Sequence, residues 1–269
     1  EPAETMIVQN ASGSDGTGAN RFTSLSLQTG DGATSQGFIN YVRTGDNNGK
    51  FTFTQRTASS TYVQAMVIDG NSKISLSNND NGSGNTILGK SAGASLDAGS
   101  NFNTFIGDGV SDASMNDAID NTAVGYQALS ALTSGDDNTA VGMRALLDLE
   151  DGIQNTGIGE SAGRSITSGE GNTAVGRKAL DANTTGNINT AVGVDALGAF
   201  TGSSSTAVGR EALRDATGGT GHTAFGQGAL AAVTINDGNT GVGYQAGNDV
   251  NSGVNNTLVG YQAGDKIDS

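Results

Sequence analysis

Among 269 residues the chain has one histidine, His222, no cysteine and no tryptophan, so the usual carriers of acid–base and thiolate chemistry are almost absent. A Ser-His-Asp triad would have to use that one imidazole. Two stretches, Gly241-Val242-Gly243-Tyr244-Gln245-Ala246-Gly247 and Gly157-Ile158-Gly159-Glu160-Ser161-Ala162-Gly163, carry the glycine spacing of a dinucleotide-binding turn, where bare backbone lets a pyrophosphate approach. Three segments, Ser134–Asn138, Asp148–Asp151 and Asn78–Asn81, offer the oxygen donors that Ca²⁺ takes, a weak possibility because none has the ligand spacing and closing Glu of a Ca²⁺ loop. Paired carboxylates that cleave glycosides can be drawn from 27 acidic residues, but 5% aromatic content leaves little surface on which sugar rings stack, so a polysaccharide depolymerase is a minor alternative.

What must position these side chains is a repeat. The motif Asn-Thr-x-x-Gly begins at Asn85, Asn103, Asn121, Asn138, Asn155, Asn172, Asn189, Ser205, His222, Asn239 and Asn256, eleven copies spaced 18, 18, 17, 17, 17, 17, 16, 17, 17 and 17 residues apart. Thr is second and Gly fifth in every copy, and the fourth position is always apolar: Leu88, Ile106, Val124, Val141, Ile158, Val175, Val192, Val208, Phe225, Val242 and Val259. A β-branched stretch followed by Gly, Asn, Asp, Ser and Thr reads as a short strand, a bend and a loop, one coil per copy. Alternation puts Thr and the fourth-position aliphatic on one face, expected to be the buried one, and the fixed Gly marks a corner needing φ > 0 or close backbone approach. A coil this short buries too little apolar surface to offset its own ordering, so coils must stack.

Within that frame the catalytic patterns lose force. His222 stands in the Asn slot and reads as a corner residue, and the two glycine patterns are coils whose third and ninth positions are Gly. No catalytic, cofactor-binding or metal residue is assigned, and an enzyme is not expected. The sixth and seventh positions vary, which suggests an outward face; Tyr126, Arg144, Arg177, Arg210, Tyr244 and Tyr261 form a candidate contact stripe, Tyr and Arg being energetic residue types at interfaces.

Composition supports the same picture. Leu, Ile, Val and Phe number 52 of 269 residues, the net charge is −14, and 43 glycines describe a chain organised by its backbone. Thirteen basic residues scattered among the acidic ones argue against nucleic acid as a partner, and no apolar run reaches membrane-spanning length. Residues 1–84 differ in texture: Phe22–Gln28, Phe38–Arg43, Phe51–Gln55, Tyr62–Ile68 and Lys73–Ser77 are separated by turn clusters and read as an antiparallel β-module. The expected fold is all-β, with this N-terminal module (1–84) followed by a parallel β-solenoid, or β-roll, of about eleven 17-residue coils (85–269).

The stretches Asn121–Leu129, Asn138–Leu146 and Asn172–Leu180 resemble the NTAxGxxAL repeats of bacteriophage tail fibres and related virion appendages, over about two-thirds of the chain. Met66–Leu76 looks like the strand signature preceding such repeats in fibres that carry an endosialidase-type C-terminal chaperone. That chaperone is not read within these residues, and with Glu1 at its start the chain is expected to be a fragment or a processed product. The repeat is also similar to the β-roll heads of trimeric autotransporter adhesins. These resemblances imply a homotrimeric structural or receptor-binding fibre of a virion tail, with a bacterial surface glycan or protein as receptor and other fibre or virion proteins as neighbours. The alternative is an adhesin head on a bacterial cell surface. An ice-binding solenoid is less favoured, since the Thr column is expected to share a buried face.

Overall fold

The computed structural model describes the strands Thr5–Ser12, Arg21–Gln28, Gln36–Arg43, Gly49–Arg56, Tyr62–Ile68 and Ile74–Ser75, and residues 83–264 except 235–236, 249 and 251–252. Two compact units divide the chain, Glu1–Asn79 and Asp80–Ser269. In the first, the six strands just given, β1 to β6, form one antiparallel sheet in chain order, with a register shift between Phe53 and Thr54 where β4 meets β5. The segment Asn78–Asn81 lies outside the described residues.

The second unit is a parallel β-solenoid. Each repeat contributes one three-residue strand, from β7 (Thr86–Leu88) to β17 (Thr257–Val259), and the eleven strands make a single parallel sheet in sequence order. Register is uniform: Thr139 pairs with Thr122 on one side and Thr156 on the other, and Val141 with Val124 and Ile158. The ladder continues around the coil beyond the strand, as in Gln127 N–H to Asp108 O at 3.0 Å, Leu129 N–H to Ala145 O at 3.1 Å and Thr133 N–H to Glu150 O at 2.8 Å. Every coil thereby satisfies its backbone against its neighbours, which is why a glycine-rich chain with few large side chains holds this form.

The expected burial of the fourth-position aliphatics is corrected. Thr and the fourth residue do share a face, but it is the outer one: Leu88, Val141, Ile158, Phe225, Val242 and Val259 are exposed, and the third residue, Ala123, Ala140, Ala174, Ala191, Ala207 or Ala224, is fully buried. The reason is width. Behind the strand the interior is so tight that a Cβ added at Gly157, a third-position residue, would lie 2.8 Å from Leu146 Cγ. Where a leucine stands behind the strand only a small third residue fits, so the bulky β-branched residue faces out. The core is completed by the eighth- and ninth-position pair, such as Ala128 and Leu129, and by a column not singled out from the repeat: Leu96, Leu132, Leu149, Ile166, Phe200, Val233 and Val250. Where the ninth position is glycine the third residue of the next coil can enlarge: Phe105, fully buried, lies against Gly93, and Leu258 against Gly247.

The fifth-position glycine meets both conditions expected of it. Gly142 has φ 131°, and a Cβ there would sit 2.6 Å from the carbonyl oxygen of Gly159 in the next coil. The other corners use left-handed non-glycine residues at a strain of about 1–2 kcal/mol each, as at Lys178 (φ 56°) and Leu180 (φ 54°).

Candidate interaction surfaces

The first-position residues turn inward and form a buried amide ladder. Asn121 donates through Nδ2 to Gly135 O at 2.8 Å and to Asn103 Oδ1 at 3.1 Å, while its Oδ1 accepts from the backbone N–H and the Nδ2 of Asn138, both at 3.0 Å. The pattern repeats at Asn138, Asn155 and Asn172. Nine of the eleven first positions are Asn, and that constancy of one amide amid polar loops was the signal of its internal role.

His222 occupies this interior column. It is 1% exposed, its ring meets Phe200 edge-on at 6.3 Å, and its backbone N–H donates to the hydroxyl of Ser205, itself fully buried. A serine and a histidine are thus neighbours, as a hydrolytic pair would be, but closed off from any substrate. The glycine patterns are likewise filled from within: Cβ atoms at Gly157 and Gly241 would meet Leu146 and Leu230 at 2.8 and 2.7 Å, so no phosphate has room beside them. In the acidic segment Ser134–Asn138, Asp136 accepts from Ile119 N–H at 2.8 Å. Among the described residues no three His, Asp or Glu side chains gather around a common point.

Titration is perturbed at three places. The Asp97 carboxylate accepts from Ser100 Oγ at 2.5 Å and from the Ser100 and Asp117 N–H groups, and these bonds hold it below the usual carboxylate range. Asp181 is pushed the other way, chiefly by burial, against the weaker opposing pull of Arg164 and Lys178, and its Oδ1 is buried without a hydrogen bond. The Arg214 guanidinium, forked onto Asp215 at 2.7 and 2.9 Å and close to Glu211 at 3.3 Å, is raised and lowers Asp215 in turn.

All six residues of the candidate stripe are exposed. Tyr126, Arg177, Arg210, Tyr244 and Tyr261 stand in one column at the sixth position, and Arg144 in the adjoining seventh column, where its Nε reaches Gln127 Oε1 at 3.3 Å. Arg177 pairs with Asp195 at 3.3 Å and Arg210 with Glu211 at 2.6 Å. Tyr244 and Tyr261 stack with ring centres 5.3 Å apart and planes 11° from parallel, and beside them Gln262 donates to Gln245 at 3.1 Å. The outer sheet face is a second, different surface: a column of threonines beside a column of aliphatics, running the whole length of the stack.

Eleven parallel strands in one uniform register define a β-solenoid repeat protein. No family model, curated protein or solved structure matches the chain. Among the described residues no helix is long and apolar enough to cross a membrane.

Proposed function

We propose that this chain is a non-enzymatic, homotrimeric structural and receptor-binding fibre of a bacteriophage tail, serving attachment to a bacterial surface. The observation that carries this reading is the uniform parallel register of eleven coils beneath a variable outer column. Such a stack resists bending, because every coil is tied to the next by backbone bonds around its circumference. It gives length rather than a pocket, about 50 Å for eleven coils at roughly 4.8 Å each. The exposed stripe, with Tyr126, Arg177, Arg210, Tyr244 and Tyr261 at the sixth position and Arg144 at the seventh, is the part free to vary without disturbing the stack, and it is where a surface glycan or protein receptor would be read. Three copies would present each contact three times, so weak individual contacts add up to firm attachment. An adhesin head on a bacterial surface uses the same physics.

Adsorption of the labelled chain to a panel of intact bacterial strains tests this. Binding to particular strains, lost in the Tyr244→Ala/Tyr261→Ala variant with its circular dichroism unchanged, is the expected result. Binding to no strain, or binding indifferent to every substitution in the column, contradicts it.

One observation favours a second reading. The Thr column faces outward, so the ground for setting aside ice binding is removed, and an evenly spaced array of hydroxyl and methyl groups is suited to ordering water. Thermal hysteresis at micromolar protein is its test.

A further inference from the structure

The outward face of the sheet differs chemically from the rest of the surface. Its two columns hold eleven threonines and eleven apolar residues without a single charge, on a chain whose net charge is −14. None of the strand threonine hydroxyls has a hydrogen-bond partner among the described residues. Beside them the aliphatics stand in the open: Leu88 is 50%, Phe225 52% and Val259 68% exposed.

We infer that this face is where copies of the chain pack on one another, parallel and coil against coil; it rests on the trimer reading above, in which three such faces meet at a common axis. Three features select a second copy as the occupant. Periodicity is the first: the rows recur at the strand spacing of about 4.8 Å over roughly 50 Å, and only a partner with the same repeat meets every row. A copy of the chain has that repeat by construction. Charge is the second. Like-charged copies repel over most of their surface, and this uncharged strip is where they approach at least cost. Area is the third. Two columns about 7 Å apart with their side-chain girth make a strip about 10 Å wide, or roughly 500 Å². Three strips closing on an axis remove roughly 1,500 Å² from water in all, about 500 Å² for each pair of copies, so the contact holds when all three close together.

Register follows from one residue. Phe225 is the only aromatic side chain in the aliphatic column, and only copies aligned without slippage bring it to the same level in each. A slip of one coil sets it against Val208 or Val242 and leaves a void opposite.

The test is the solution mass of the full chain by light scattering with sedimentation, beside a Val141→Lys/Val242→Lys variant and a control, Ser168→Lys, whose site is exposed in a loop. The wild type and the control are expected at a multiple of 26.8 kDa, and the double variant at 26.8 kDa with its β circular dichroism retained. If the double variant fails to fold, Val141→Cys takes its place: the chain has no cysteine of its own, so mild oxidation must link copies through that position. A multimer unaffected by the two lysines, or one that Val141→Cys cannot link, overturns the assignment of this face and leaves the trimer reading standing. A wild type of single-chain mass overturns both, and arrest of ice-crystal growth by that monomer would assign the face to ordered water instead.

Discussion

Replacing Asn155 by Ala removes an interior rung of the amide ladder, and its cost can be worked out bond by bond. The side chain donates to Gly169 O at 2.7 Å, Ile153 O at 3.1 Å and Asn138 Oδ1 at 3.2 Å, and it accepts from the N–H and Nδ2 of Asn172 at 3.0 and 3.1 Å. Several of these partners keep another bond: Asn138 Oδ1 still accepts from the Asn155 backbone, Ile153 O from Gly171 N–H, and Asn172 Nδ2 still reaches Gly186 O. Two groups lose their only partner, the backbone N–H of Asn172 and the carbonyl of Gly169, both in buried residues. At about 1–3 kcal/mol for each orphaned buried group, the loss is roughly 4 kcal/mol. Denaturant titration at fixed protein concentration, with native-state hydrogen exchange, measures it, and protection should fall most in the coils on either side of residue 155. A loss under about 1 kcal/mol would mean that water takes the place of the amide, and would refute the claim that the ladder is a dry, weight-bearing column.

Two further outcomes follow from the same geometry. Gly142→Ala should destabilise by more than about 3 kcal/mol in denaturant titration, since it combines a φ of 131° with a methyl 2.6 Å from Gly159 O. Asp181→Asn should stabilise the fold at neutral pH. Burial raises the folded-state pKa above 3.8, so the favourable contribution of this group is complete below 3.8 and is lost as pH rises through the folded value. The advantage of the Asn variant in thermal midpoint should therefore grow from acid towards neutral pH, and a constant difference would contradict the cause.

The coil, its length and its corner glycine were legible because each leaves a periodic mark: Thr, an apolar residue and Gly recur at fixed positions eleven times. Which side of the strand faces inward was not. Alternation tells which residues share a face, and hydrophobicity then favours placing Val124 and Val141 inside, yet where a ninth-position leucine fills the space behind the strand, as Leu146 does behind Gly157, the coil admits only a small third residue. The clue lay in the third position, Ala or Gly in all eight copies from Ala123 to Gly241, which is a size limit and not an indifference. The amide ladder was hidden for a related reason, because Asn in a turn-rich repeat reads as a solvated corner residue. The third core column, Leu132, Leu149 and Ile166, falls about six residues before the next Asn, inside a stretch whose polarity masks it. The contact stripe was visible as variation alone; that Tyr244 and Tyr261 stack, and that Arg177 and Arg210 already have acidic partners, needed coordinates.

Inward third residues and outward fourth residues are the centre of this account, and paired cysteine substitutions read that parity directly, since the chain has no native thiol. Ala140→Cys and Val141→Cys would be compared for alkylation under native conditions, with the particle mass measured on the same samples. The account predicts that the thiol at 140 stays unreactive, while the thiol at 141 is alkylated in a single-chain particle or joins copies on oxidation in a multimer. Rapid alkylation at 140 together with protection at 141 in a particle of single-chain mass would contradict it.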